Sequence, residues 1–239
     1  MPKIFAILLC TLLICACEKH DPILPGVRTA IFQDEQVNIL NEKTPKLSGN
    51  VYTMPDTPCA YTQDSDNVIW DGTRKIFSGF PTDNSVASNQ KPVCSDGYVY
   101  AGLTTGEVVK IKPRGRQIVW IADIYRASNL TGGTPVLDIV APIIIRDQDV
   151  FAGGLGDAFC KINATSGIKK WCTGISVATE FILMDDVAYV VSADKYLNAV
   201  RLTDGAVYWR HAVREIATPK YQDGKIIVGS EKINAQSGK

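Results

Sequence analysis

From Val51 onward the chain repeats one rhythm: a short apolar run, a tight polar turn, then a second apolar run. Residues 91–102 and 218–229 share it at identical internal spacing, with Pro92, Asp96, Gly97 and Gly102 matching Pro219, Asp223, Gly224 and Gly229. Residues 141–153 and 180–191 follow the same strand–turn–strand plan. A second half follows each of these: 18 positions separate Gly102 from Trp120, Gly153 from Trp171, and Val191 from Trp209. Each span reads as a strand, a turn ending in glycine (Gly115, Gly167, Gly205), and a strand ending in tryptophan. Glycine suits a turn that needs positive φ, and a large flat ring can fill the gap between neighbouring sheets. Four strands in about forty residues is the pattern of a propeller blade. The fold class expected is all-β, with blades of four-stranded antiparallel sheets.

The units are unevenly spaced. Trp171 to Trp209 is 38 positions, whereas Trp70 to Trp120 is 50 and Trp120 to Trp171 is 51. Residues 71–89 and 125–140 are therefore expected to be long loops before two of the blades, where binding surfaces tend to sit. The last unit is short: Gly229 to Gly238 is 9 positions, against 14 for Gly153 to Gly167 and for Val191 to Gly205, a deficit expected in its third strand. Residues 68–70 read as an outer strand without its own blade. The expected result is an incomplete ring of about three whole blades with strand fragments at both ends. Its two end faces are expected to carry apolar sheet surface, favouring association or dependence on another chain.

Ahead of the repeat, Lys3 begins a short basic region and residues 4–14 are apolar, too few to span a bilayer as a helix. Ile14-Cys15-Ala16-Cys17 looks like the lipobox of a bacterial lipoprotein signal. Residues 1–16 are then a signal peptide, and Cys17 is the lipidated N-terminus of the mature chain, anchored without a transmembrane helix. Glu18 rather than Asp follows it, which favours the outer membrane. Residues 17–48 are rich in Pro, Lys, Asp, Glu and Asn and read as a lipidated tether, within which Ile39 and Leu40 could form a short adhesive stretch. Residues 49–239 are the partial propeller.

Of 239 residues, 46% are hydrophobic and 21% charged, as in ordinary globular domains. Lys+Arg and Asp+Glu are both 25, so no basic excess points to nucleic acid. Two histidines leave little material for a metal or acid/base site. Cys59, Cys94, Cys160 and Cys172 remain in the mature chain beside Cys17. Cys160 and Cys172 flank one hairpin and a pairing between them is open, but the reading favoured is four small buried thiols. The acids sit mainly at hairpin turns, where Asp has a local backbone role. No Gly-x-Gly-x-x-Gly or Walker-type lysine is present.

The Asp-Gly turns, Thr/Ser-x-Gly hairpins and terminal Trp resemble the quinoprotein-like, or PQQ-like, β-propeller repeat. Together with the lipobox they resemble the BamB-type lipoproteins of the outer-membrane β-barrel assembly machinery. Residues 24–28, Leu-Pro-Gly-Val-Arg, look like the corresponding segment of the α-proteobacterial members. The resemblance implies an eight-bladed ring, of which this sequence covers the first half. It also implies a non-catalytic scaffold with no cofactor and no metal, held at the periplasmic face of the outer membrane and docked on the BamA-type insertase subunit. The family's partner loop corresponds to residues 132–142, which makes Val136, Leu137 and Asp138 the contact candidates. PQQ-dependent dehydrogenases use the same repeat around a quinone and a Ca²⁺ cage, so an enzyme fragment is the competing reading. A non-functional product of a split or degraded gene is a third.

Overall fold

A computed structural model describes residues 37–54, 57–82, 91–125 and 136–239. The signal segment, Cys17 and most of the tether lie outside the described residues. Within them the chain is all-β, without a helix, and forms five antiparallel sheets in chain order. The first has three strands: β1 (Tyr61–Gln63), β2 (Val68–Asp71) and β3 (Arg74–Ser78). Three whole blades follow. The first is β4 (Val93–Ser95), β5 (Tyr98–Gly102), β6 (Glu107–Lys112) and β7 (Gln117–Asp123). The second is β8 (Ile144–Arg146), β9 (Asp149–Gly154), β10 (Ala158–Asn163) and β11 (Lys169–Thr173). The third is β12 (Ile182–Met184), β13 (Val187–Val191), β14 (Tyr196–Arg201) and β15 (Val207–Ala212). The last sheet is β16 (Lys220–Gln222), β17 (Lys225–Val228) and β18 (Glu231–Asn234). These sheets do not close a ring. The first hairpin of each whole blade and of the last sheet turns on an aspartate at positive φ: Asp96, Asp147, Asp185 and Asp223, at 51°, 57°, 51° and 49°. Aspartate tolerates that left-handed conformation better than most residues.

Two features identify the strands of the first sheet. In each whole blade a β-bulge interrupts the third strand where it meets the outer one, at Lys110/Ile111, Lys161/Ile162 and Ala199/Val200. The first sheet has its bulge at Ile69/Trp70, between β2 and β3. Its β1–β2 turn closes through Asn67 N–H to Asp64 O, as Gly106 closes on Leu103 and Lys195 on Ser192. So β1, β2 and β3 are the second, third and outer strands of a blade whose inner strand is missing from the described residues. This corrects two expectations. Residues 68–70 form a third strand rather than an outer one, and residues 71–89 contain the outer strand β3 rather than a single long loop. Trp70 is thus not the counterpart of Trp120, and the 50-position interval compares unlike places. In the last sheet, Val228 pairs directly with Glu231. Its shortening therefore falls on the hairpin as well as on the third strand.

Adjacent sheets are joined by the tryptophan–glycine pairs. Trp120 Nε1 donates to Ala164 O (3.1 Å), Trp171 to Leu202 O (3.1 Å) and Trp209 to Gln236 O (3.0 Å), each acceptor lying in the next sheet. The glycines of those turns, Gly167, Gly205 and Gly238, have φ of 74°, 78° and 68°. A Cβ on any of them would stand 2.6–2.7 Å from the indole. The turn glycine and the tryptophan that recur within each unit thus meet across units, the ring of one blade lying on the turn of the next. Lysine reinforces it twice. Lys110, paired with Trp120, reaches Ala164 O (2.7 Å), and Lys161, paired with Trp171, reaches Leu202 O (3.1 Å). In the third blade Ala199 takes the lysine's place, and the Tyr189 hydroxyl donates instead to Ala235 O (2.8 Å). His211 Nδ1 lies 2.7 Å from Gly238 O on the same turn.

Burial in these seams perturbs titration. Desolvation lowers the Lys110 pKa. It pushes the Tyr100 hydroxyl up to about 12, with Asp96 adding to the shift. Tyr189 is raised further, again by burial first. A raised folded-state pKa contributes stability below the unfolded value, and that contribution is lost as pH climbs through the folded value. Unfolding free energy should therefore fall between about pH 10 and about pH 12. Ultraviolet titration should show Tyr100 and Tyr189 among the last of the nine tyrosines to ionise in the native protein and indistinguishable from the others in urea. Tyr100→Phe should remove one late proton.

Part of the segment read as tether is laid against the blades. Ile39 bridges Val207 in parallel, and Leu40 N–H and Glu42 N–H donate to Val207 O and Tyr208 O along the outer edge of β15. Thr44 then bonds Gln236 O, and Ser48 bonds the Asp185 carboxylate through both its N–H and its hydroxyl. Val51 pairs with Met184 on the inner edge of β12, and the Tyr52 hydroxyl donates to Ile145 O of β8 (2.7 Å). Cys59 finally bonds Cys94 of β4. Residues 37–54 and Cys59 thus lace the last sheet and the inner strands of all three whole blades.

The expectation of four free thiols is overturned: Cys59–Cys94 and Cys160–Cys172 are disulfides. Cys160 and Cys172 face each other in register across β10 and β11, so the bond closes without moving the backbone. The end faces also differ from expectation. Among the described residues the exposed large apolar side chains are Phe80, Ile118, Val119, Ile121, Val136, Ile168 and Ile216, none of them in either end sheet. The free face of the last sheet instead carries Lys220, Gln222, Lys225, Lys232 and Asn234 around half-buried Ile227.

Candidate partner-binding face

In an up-and-down blade, the turn between second and third strands lies at the same end as the loop leading to the next sheet. These turns and loops together make one face of the molecule. The loop between the first two whole blades joins β7 to β8, and residues 124, 125 and 136–143 of it are described. The described part of this loop is held down by glycines. A Cβ on Gly102 would overlap Ile139, whose N–H donates to Leu103 O (3.2 Å). A Cβ on Gly154 would run into the Asp138 backbone carbonyl, which accepts the Leu155 N–H (2.9 Å). Leu137 and Tyr125 occupy the space over Gly106 and Gly156, where added Cβ atoms would come within 3.2 Å of them.

The three residues expected to make partner contacts stand differently. Val136 is 36% exposed, Leu137 is partly buried between the two hairpin turns, and Asp138 is wholly buried. The loop thus offers a partner Val136 and the rim of Leu137, while Asp138 belongs to the anchor. Phe80, at 79% exposure, lies in the loop from β3 to β4, and Ile216, at 43%, in the loop from β15 to β16. Both belong to the same face as Val136. Sequence pattern does not reveal them, because a lone apolar residue in a polar loop has no periodicity to mark it. Three inter-sheet loops of one face thus each present a large apolar side chain to solvent.

On the same face an open cleft of about 310 Å³ lies between the second and third whole blades. Arg210 forms part of its wall, stacked 3.7 Å from the Tyr196 ring centroid and paired with Asp194 at 2.7 Å. Asp157 and Ser176 line the other side. The face therefore combines apolar tips with a fixed guanidinium, a residue pair common in interface cores. Among the described residues no three His, Cys, Asp or Glu side chains stand together as a metal site requires. Cys17 lies outside the described residues.

A family model described as "Outer membrane protein assembly factor BamB" matches residues 35–211. Among solved structures, BamB from Moraxella catarrhalis aligns at TM-score 0.51 and 14% identity over 75% of this chain and 61% of that one. The chain therefore spans about six-tenths of the length of the BamB it matches. The computationally designed Ika8 protein aligns at TM-score 0.50 and 13% identity, over 74% of this chain and 52% of its own. A quinohemoprotein alcohol dehydrogenase from Pseudomonas putida HK5 aligns at TM-score 0.48 and 15% identity, over 64% and 32%. No curated protein matches the sequence significantly.

Proposed function

We propose, on the premise that this chain belongs to the family of the outer membrane protein assembly factor BamB, that it is a non-catalytic scaffold of the outer-membrane β-barrel assembly machinery. It is anchored to the outer membrane by lipid on Cys17 and exposed to the periplasm. Its partner is the BamA-type insertase subunit. The observation that carries this reading is that Phe80, Val136 and Ile216, all large, apolar and exposed, lie in inter-sheet loops of one face. A further support comes from the inner strands. Val51 and Tyr52 take up hydrogen-bonding and packing positions along β12 and β8, the strands that would line a cofactor funnel. A platform that only binds has no use for such a funnel. Two disulfides suit the periplasm, where they form and persist.

The docking test is a pull-down of full-length chain with the periplasmic domains of a BamA-type subunit. Phe80→Asp with Val136→Asp should weaken capture at least tenfold, about 1.4 kcal/mol or more, while the melting temperature stays within a few degrees. Both side chains are exposed, so the fold does not depend on them. Leu137→Asp is the poorer probe, because it would place a charge between Gly106 and Gly156 and disturb the loop itself. Unchanged capture by the double variant would remove this face from the assignment.

A further inference from the structure

Four of the seven large apolar side chains exposed among the described residues lie on the outer rim of two adjacent whole blades. Ile118, Val119 and Ile121 are on β7, and Ile168 is in the turn before β11, at 49%, 39%, 46% and 68% exposure. They share that rim with cations. The β6–β7 turn and its flanks hold Lys112, Arg114 and Arg116, all exposed, and residues 114–119 are exposed without interruption. The β10–β11 turn is held against the same strand: Gly167 meets the Trp120 indole, and exposed Lys169 donates to Asp123 O (2.9 Å). Among the described residues these four cations form no ion pair, whereas neighbouring Lys170 is neutralised by Asp149 (2.5 Å). The third whole blade is built otherwise at the same place. Its turn carries Asp204 paired with Arg201 (2.6 Å), and Val207, Tyr208 and Trp209 are buried where Leu40 and Glu42 bond the outer edge. The first two whole blades pack against a sheet on each side, so further sheets in the array would leave this rim as it is.

We propose that this rim is a membrane-contacting surface that binds anionic lipid headgroups. The four cations meet the headgroup charge, and the aliphatic tips between them enter the boundary below it. Charge complementarity carries the choice of occupant. A second copy of this chain would set like charges against each other. A nucleic-acid backbone would meet the cations but leave the isoleucines exposed, and the chain as a whole has no basic excess, with 25 Lys+Arg and 25 Asp+Glu. Protein interfaces favour aromatic rings at their centre, and the exposed apolar side chains here are all β-branched aliphatics. In an up-and-down blade the turn between third and outer strands lies at the end opposite the inter-sheet loops. The rim therefore leaves the loop face of Phe80, Val136 and Ile216 free for a protein partner, and its affinity for lipid does not depend on acylation of Cys17.

The test is co-sedimentation of the unlipidated full-length chain with vesicles of phosphatidylcholine, alone or mixed in equal parts with phosphatidylglycerol. Apolar residues 4–14 contribute to both, so the ratio of affinities isolates the charge. Without lipid on Cys17 the outcome is also separate from that of the anchor. The mixed vesicles should bind at least about tenfold more tightly, and raised salt should weaken them. Lys112→Glu with Arg114→Glu should erase most of the ratio, at roughly fivefold for each basic side chain. Ile118→Ser with Ile121→Ser should weaken binding to the mixed vesicles severalfold. All four side chains are exposed, so the melting temperature of both variants should stay within a few degrees. Hydrogen exchange should slow at residues 114–119 on adding the mixed vesicles and stay unchanged at residues 136–143. The proposal is overturned if the two vesicles bind alike, if the charge-reversed variant keeps the ratio, or if exchange at residues 114–119 does not respond. Slowing there by polyglutamate but not by vesicles would overturn it in favour of an acidic protein segment.

Discussion

Trp120→Ala is expected to cost about 3–5 kcal/mol of unfolding free energy, the range for removing a buried large aromatic side chain. The ring is 8% exposed, packs edge-on to Tyr100 with centroids 6.0 Å apart, and lies on the Gly167 turn. Its loss opens the seam between two whole blades and leaves Lys110 alone to satisfy Ala164 O. Trp70→Ala provides the internal control. Trp70 is only half-buried, faces away from the first whole blade, and bonds the Asp64 carboxylate in its own sheet (2.8 Å). Its removal should cost less than about 2 kcal/mol. Urea titrations of the two variants should separate by more than the error of extrapolation. Equal costs would mean that the tryptophans are interchangeable surface aromatics rather than joints between sheets.

Cys59→Ser combined with Cys94→Ser is expected to cost about 2–4 kcal/mol. The bond closes 35 positions and pins the lacing segment to the inner strand of the first whole blade. The Cys160–Cys172 bond closes 12. Chain entropy alone makes the longer closure worth about 1 kcal/mol more. The two pairs should also differ in where they loosen the protein. Without Cys59–Cys94, hydrogen exchange should rise at residues 50–54 and at the β12 edge they cover. Without Cys160–Cys172, the rise should stay within β10 and β11. A thiol titration of the unfolded, oxidised protein should find none of these four cysteines free.

The sequence carried the repeat because each seam needs two unlike residues, a tryptophan that supplies a ring and a glycine in the next unit that admits it, and both recur unit by unit. Gly167, Gly205 and Gly238 with Trp120, Trp171 and Trp209 meet that demand, and three whole blades with partial sheets at both ends follow from it. Counting by residue type failed at Trp70, where the bulge, invisible in composition, fixes the strand's place. The lacing of residues 37–54 was hidden because it depends on isolated bonds to distant strands, which impose no period on the side chains. Cys59 and Cys94 belong to different elements and are brought together only by that path. Of the contact candidates, Val136 was placed on an exposed face, whereas Asp138 sits beneath the loop, a difference in depth that spacing does not encode.

The most direct test of the scaffold assignment is size-exclusion chromatography with light scattering on oxidised full-length chain mixed with the periplasmic domains of a BamA-type subunit. A one-to-one complex is predicted, weakened by Phe80→Asp with Val136→Asp and insensitive to Lys112→Glu with Arg114→Glu. Separate elution of the two proteins across the accessible concentration range would contradict the account.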